Sequence, residues 1–130
     1  MNNQLHNTQN PYQGDRKKVL CVCSAGLLRS PTTAMILAEE LGFNTRACGI
    51  DIDHALIPIS PALLYWADEV VCMDVRQRHE VEGHIAKFNK KQLMDIDIPI
   101  HVLNIADNYA YMDIELQREI RTRYSEVVNE

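Results

Sequence analysis

The feature that most constrains this chain is a short apolar run that stops on a thiol. Residues 19–33 read V-L-C-V-C-S-A-G-L-L-R-S-P-T-T. Residues 17–22 predict a buried strand. Ser30 and Pro31 predict a helix start, with Ser as N-cap and Pro at the first helical position. The helix then runs through A-M-I-L-A-E-E-L, and Gly42 supplies its C-cap. A buried strand joined by a small-residue turn to a helix is the opening unit of a layered α/β domain.

The rest of the chain continues that alternation. Residues 43–48 predict a second strand, and residues 49–59 a connecting loop. Ser60-Pro61 repeats the cap signal before a short helix, A-L-L-Y-W-A-D, in which Tyr65 and Trp66 are expected in the core. E-V-V-C-M-D is a third strand, its Val70, Val71 and Cys72 too apolar for a surface element. Residues 75–89 read as a polar, partly helical arm weakened at Gly83. Residues 98–105 form a fourth strand, and Asp113 caps a final helix whose R-E-I-R-T-R stretch is a solvated face. Short apolar strands separated by helices imply a parallel sheet covered on both faces. Ligands of such sheets bind outside the carboxyl ends of the strands, and the loop from Cys23 to Arg29 lies at one such end.

The chain's 130 residues favour one domain, residues 16–130, preceded by an Asn/Gln-rich polar tail, residues 1–15. A net charge of −5 argues against a nucleic-acid partner, which would demand a basic face. No apolar run is long enough to span a bilayer, and the N-terminus lacks a signal peptide's apolar centre, so a cytoplasmic location and no membrane partner are expected. Cys21, Cys23, Cys48 and Cys72 show no C-x-x-C spacing, and the histidines His54, His79, His84 and His101 do not group like metal ligands. Neither a metal nor another cofactor is expected, and Cys48 and Cys72 read as structural.

The loop C-S-A-G-L-L-R-S has its own chemistry. Ser24, Ala25 and Gly26 are small enough for backbone N–H groups to turn inward, and a helix dipole points at the same place. Such a nest binds a tetrahedral anion. Arg29 adds a planar fork able to grip two phosphate oxygens. A thiol at the base of that nest sits in positive potential, which favours the thiolate, and a thiolate below a bound phosphate is an in-line nucleophile.

The stretch C-S-A-G-L-L-R-S-P resembles the C-x5-R-[ST]-P signature of low-molecular-weight protein tyrosine phosphatases. D-E-V-V-C-M-D is similar to that family's central strand, and I-A-D-N-Y-A-Y-M-D to its acid loop, as in a bacterial and phage branch of predicted tyrosine phosphatases. The resemblance covers about residues 16–128. It implies a flavodoxin-like, four-stranded parallel sheet of order 2-1-3-4. It also implies roles: Cys23 as nucleophile, Arg29 as phosphate and transition-state ligand, Ser30 as the hydroxyl that holds the thiolate, and Asp107 as general acid and then base. The loop amides of Ser24, Ala25, Gly26, Leu27, Leu28 and Arg29 would bind phosphate. Tyr109 and Tyr111 would wall a cleft for a phosphotyrosine protein or a small aryl phosphate.

The chain departs from the family in three places. Ala25 and Gly26 stand where the usual loop has Gly and Asn, so the bonds of that Asn are missing. Leu28 replaces a second loop cysteine, and Asn108 follows Asp107 where Pro is common. The first change implies a looser loop and lower activity, the second the loss of a redox partner, and the third a less rigid acid loop. Two other readings stay open: a weak or inactive phosphate- or phosphopeptide-binding module, and a phosphocysteine carrier like the IIB proteins of sugar phosphotransfer. Arg29 and Asp107 favour hydrolysis over the carrier. An arsenate reductase would need further cysteines in residues 74–97, which have none.

Overall fold

The computed structural model describes residues 16–24, 29–51, 53–92, 95–106 and 108–128. The polar tail, residues 25–28 of the first loop and Asp107 lie outside the described residues. The elements are β1 (Lys18–Cys23), α1 (Arg29–Leu41), β2 (Asn44–Gly49), α2 (Pro61–Trp66), β3 (Glu69–Cys72), α3 (Val75–Gln92), β4 (Ile100–Val102) and α4 (Ile114–Val128). The four strands form one parallel sheet in the order β2-β1-β3-β4, the expected flavodoxin-like arrangement. In register, Lys18 lies beside Asn44, Val19 beside Glu69 and Val70 beside Ile100.

The period-2 alternation of β1 builds two cores. Val19, Cys21 and Cys23 face a layer made with α1 and α4, including Ile36, Leu37, Leu116, Ile120 and Tyr124. Leu20 and Val22 face the opposite layer, with Leu63 and Leu64 of α2 and Val81 of α3. Val19, Leu20, Cys21 and Val22 are all fully buried. A strand covered on both sides must be apolar at every position, which is why residues 19–22 form an unbroken run. Truncating Leu20 to Ala at the centre of this sheet would cost about 2–5 kcal/mol.

Four sequence expectations need correction. The strand expected over residues 98–105 is regular only from Ile100 to Val102, because Asn104 takes a left-handed φ of 58° that breaks the pleat. The arm expected to weaken at Gly83 is one continuous helix of 18 residues. A single glycine costs about 1 kcal/mol in a helix, too little to break one anchored by buried Val81 and by Ile85 and Phe88 packed on the core. Tyr65 is not in the core: it is 73% exposed, because the six-residue α2 buries only Leu63 and Leu64. Trp66 is half-buried, with the Arg46 guanidinium 4.6 Å above its ring.

Both cap signals around α2 and α4 are realised. Ser60 Oγ accepts from Leu63 N at 3.3 Å, and Asp113 Oδ1 accepts from Glu115 N at 2.8 Å. Gly42 closes α1 with a φ of 71°. No helix among the described residues is long and apolar enough to cross a membrane.

Candidate functional site

The candidate nucleophile and the candidate phosphate ligand both sit at the carboxyl end of the sheet. Cys23 is the last residue of β1 and is 4% exposed. Its Sγ lies 3.0 Å from Ser30 Oγ, and Ser30 Oγ lies 3.3 Å from the Cys48 carbonyl, to which it can donate. Ser30 has one proton and two neighbours to give it to. Beside a neutral thiol, Cys23 can donate to Ser30 Oγ while Ser30 donates to the Cys48 carbonyl. Beside a thiolate, the Ser30 hydroxyl can swing to the sulfur. Ser30 was expected to cap α1, but the helix already begins at Arg29. Its side chain therefore faces the sheet rather than the orphan amides of the first turn.

Arg29, only 2% exposed, reaches across the ends of two other strands. Its Nη1 donates to the Ile105 carbonyl at 2.8 Å and stands 3.7 Å from Asp74 Oδ2. Ile105 follows β4 and Asp74 follows β3, so the guanidinium gathers the loops beyond three strands around one point. Thr33 supports it from behind, donating to the Arg29 carbonyl at 2.8 Å.

Asp107 lies outside the described residues, but both ends of its loop are held. Ile105 N donates to the Met73 carbonyl at 2.8 Å. At the far end, Met112 takes a left-handed φ of 60°, its N–H donates to Thr32 Oγ1 at 2.9 Å, and its carbonyl accepts from Gln117 Nε2 at 2.7 Å. Tyr109 packs against the α1–α4 core, and Tyr111 is half-buried. Asp113 carries the α4 cap.

The other thiols are held neutral. Burial pushes Cys21 well above the ordinary thiol range, helped by neighbouring cysteines and Glu69. Burial likewise raises Cys48 and lifts Cys72 to about 12, with Asp74 adding to the effect. Such thiols are inert nucleophiles at neutral pH. Among the described residues, no group of three or more His, Cys, Asp or Glu side chains could hold a metal ion.

The sequence reading missed the turn after β3. Asp74 Oδ1 accepts from Gln77 N at 3.0 Å. Gln77 Oε1 accepts from Asp74 N at 3.2 Å and Met73 N at 2.7 Å. This is a capping box, and its signal was present as Asp and Gln three residues apart. The same turn reaches the first loop: Arg76 Nη2 donates to Ser24 Oγ at 2.6 Å and Gln77 Nε2 at 3.4 Å. Ser24, Ile50, Asp51, Arg76 and Glu80 line a cleft of about 190 Å³ there. Asp51 is exposed, and its hydrogen bond to His54 holds its carboxyl below the usual range.

No family model matches the chain, and no curated protein sequence matches it. Solved structures do. The tyrosine phosphatase Wzb from Escherichia coli K30, in complex with phosphate, is 16% identical with a TM-score of 0.59, covering 85% of this chain and 95% of its own. The YwlE arginine phosphatase from Geobacillus stearothermophilus is 16% identical at a TM-score of 0.58, covering 87% and 88%. The SP-PTP protein of Streptococcus pyogenes, a low molecular weight protein tyrosine phosphatase, is 12% identical at 0.53, covering 87% and 91%. At these identities the likeness speaks for architecture, and the chain has the fold of the low-molecular-weight protein tyrosine phosphatases.

Proposed function

We propose that the chain is a cysteine-dependent phosphatase of the low-molecular-weight type, hydrolysing phosphomonoesters with protein phosphotyrosine as the preferred class. The observation that carries this reading is the Sγ–Oγ contact between Cys23 and Ser30, set beside a buried Arg29 at the carboxyl end of the sheet. A buried guanidinium there favours a dianionic ligand, and the adjacent thiol has a hydroxyl ready to stabilise its ionised form.

In the proposed reaction the Cys23 thiolate attacks phosphorus in line. The S–P bond forms as the P–O bond to the aryl group breaks. Asp107 gives its proton to the departing phenolic oxygen. Arg29 and the loop amides, from Ser24 to Leu28, hold the equatorial oxygens as charge shifts onto them. Asp107, now ionised, takes a proton from water as that water attacks phosphorus. The S–P bond breaks, phosphate leaves, and Ser30 stabilises the returning thiolate. Tyr109 and Tyr111 wall the ring-binding side of the cleft. No step requires a metal or a cofactor.

The test is metal-independent hydrolysis of p-nitrophenyl phosphate, a phosphotyrosine peptide and phosphoarginine between pH 5 and 7, in the parent protein and in Cys23→Ser. Turnover of the aryl phosphates that Cys23→Ser abolishes supports the reading. Phosphate binding without turnover establishes the binding-module alternative instead. A stable phosphocysteine formed only from a phosphoprotein donor establishes the carrier.

A further inference from the structure

The capping box of α3 does more than start a helix. Gln77 is fully buried. Its amide orientation is dictated by its partners: Met73 N and Asp74 N can only donate, so the atom facing them is the oxygen. The Nε2 group must therefore face Ser24, as a donor. Arg76 Nη2 donates to the same hydroxyl oxygen. A serine oxygen has two lone pairs and one proton. With both acceptor positions met by N–H groups, Ser24 has only its proton left to offer. The guanidinium at 2.6 Å also draws electron density from the oxygen and makes that proton a stronger donor.

Ser24 is the residue after Cys23 in the chain; it is half-buried and lines a cleft with Ile50, Asp51, Arg76 and Glu80. Its carbonyl is occupied by Asp51 N at 2.8 Å, which fixes the backbone at this point. The Asp51 carboxylate, an acceptor in the same cleft, is turned to His54, 3.1 Å from both oxygens. We infer that Gln77 is a positioning residue that, with Arg76, locks the Ser24 hydroxyl as a hydrogen-bond donor to the bound phosphoryl group. This rests on the phosphatase reading above for the identity of the anion. It adds a side-chain contact to a loop otherwise expected to bind through its amides. It also ties the turn carrying Asp74, the neighbour of Arg29, to the residue beside Cys23.

Gln77→Glu separates this role from helix capping. A glutamate keeps the oxygen that accepts from Met73 N and Asp74 N, and suits the first turn of a helix, but it cannot donate to Ser24. The experiment measures inorganic phosphate affinity by calorimetry, together with kcat and KM for p-nitrophenyl phosphate. The proteins are the parent, Gln77→Glu, Ser24→Ala, Ser24→Thr and the Gln77→Glu/Ser24→Ala pair, with the Tm of each.

The expected result is an unchanged Tm and phosphate affinity lowered about tenfold in Gln77→Glu and in Ser24→Ala. Ser24→Thr, which keeps the hydroxyl, should retain affinity. The double variant should be no worse than about twofold beyond the weaker single variant, since both remove the same contact. If the two effects multiply, the glutamate acts by charge through space and the inference is overturned. If Ser24→Ala leaves phosphate affinity unchanged, it is overturned whatever Gln77→Glu does, including failure to fold. The two readings fail separately. A protein that binds phosphate in this Ser24-dependent way yet never turns over ester keeps the inference and loses the phosphatase. Turnover that needs Cys23 but ignores Ser24 does the reverse.

Discussion

At the amino end of the sheet, Glu69 is 1% exposed, and at the carboxyl end Arg29 is 2% exposed. Glu69 opens β3 and is met by three side chains. Lys17, just before β1, forms an ion pair with it. Tyr124 of α4 donates its hydroxyl at 3.1 Å, and His101 of β4 brings Nε2 to 3.5 Å. Lys17 also lies over the Phe43 ring, which meets Tyr124 edge-on. The partners of Arg29, by contrast, include Ile105 and Asp74, in the loops that follow β4 and β3. A carboxylate clasped by side chains from or beside regular elements has nowhere to move and serves the fold. A guanidinium held by loop acceptors at the strand ends is, under the proposed function, the ligand of the anion. Similar burial of opposite charges thus predicts opposite consequences of substitution.

The largest expected effect is at the carboxyl end. Arg29→Lys keeps the charge but loses the fork, so it cannot span the Ile105 carbonyl and two phosphate oxygens together. It should lower kcat for p-nitrophenyl phosphate by about 10²–10³, with urea unfolding changed much less. A variant that loses stability while the surviving folded protein keeps its kcat would make Arg29 a structural residue like Glu69, and would erase the contrast.

The next effect belongs to the sheet between the two ends. Cys21, Cys48 and Cys72 have folded pKa values raised above the ordinary 9.0, chiefly by burial. Above pH 9 the unfolded chain loses these protons while the folded chain keeps them. Stability is therefore fully present below that pH and falls as pH rises. Each thiol contributes up to about 1.4 kcal/mol per pH unit, so the three together remove roughly 4 kcal/mol over one unit. The Tyr124 hydroxyl is raised as well, by burial and by Glu69, so the fall steepens above pH 10. Urea unfolding at pH 8, 9, 10 and 10.5 checks this. A flat profile would mean that water reaches these thiols.

Tyr124→Phe tests the amino end directly. It removes the hydroxyl donor from a buried carboxylate and should cost about 1–3 kcal/mol. The steepening above pH 10 should vanish with it, while kcat and KM stay within about twofold. A catalytic defect would show that the two ends communicate through the sheet.

These outcomes bear on what the chain discloses in its order of residues. The sheet was legible because its two central strands carry unbroken apolar runs, residues 19–22 and 70–72, and its turns carry Ser-Pro or Asp caps. Cys23 and Arg29 stood out as a thiol and a returning cation around small residues, and the fold buries both at the carboxyl end of the sheet. Glu69 was not, since a lone acid opening E-V-V-C looks solvated until Lys17, His101 and Tyr124, up to 55 residues away, are folded onto it. Gln77 was half-legible: the capping spacing is local, but its bond to Ser24 crosses 53 positions of sequence. Ser30 was assigned a cap because Ser-Pro is usually one, and tertiary contacts with Cys23 and Cys48 overrode that local preference.

Gly83 supplies the smallest effect and a control for both ends. It was expected to weaken residues 75–89, yet α3 passes straight through it. A Cβ added there would meet nothing within 4 Å, and the residue shows no left-handed backbone that would require glycine. Its cost is therefore entropic, paid by the unfolded chain's extra freedom rather than by any native contact. Gly83→Ala should raise stability by about 0.5–1 kcal/mol in urea unfolding. The gain should add to the loss in Tyr124→Phe, because α3 and α4 pack on opposite faces of the sheet. It should leave kcat and phosphate affinity untouched, since the capping box six residues earlier already fixes the start of the helix. A change in phosphate affinity in Gly83→Ala would instead show that the Asp74–Gln77 turn depends on flexibility further along α3, and that the carboxyl end is held less firmly than its hydrogen bonds imply.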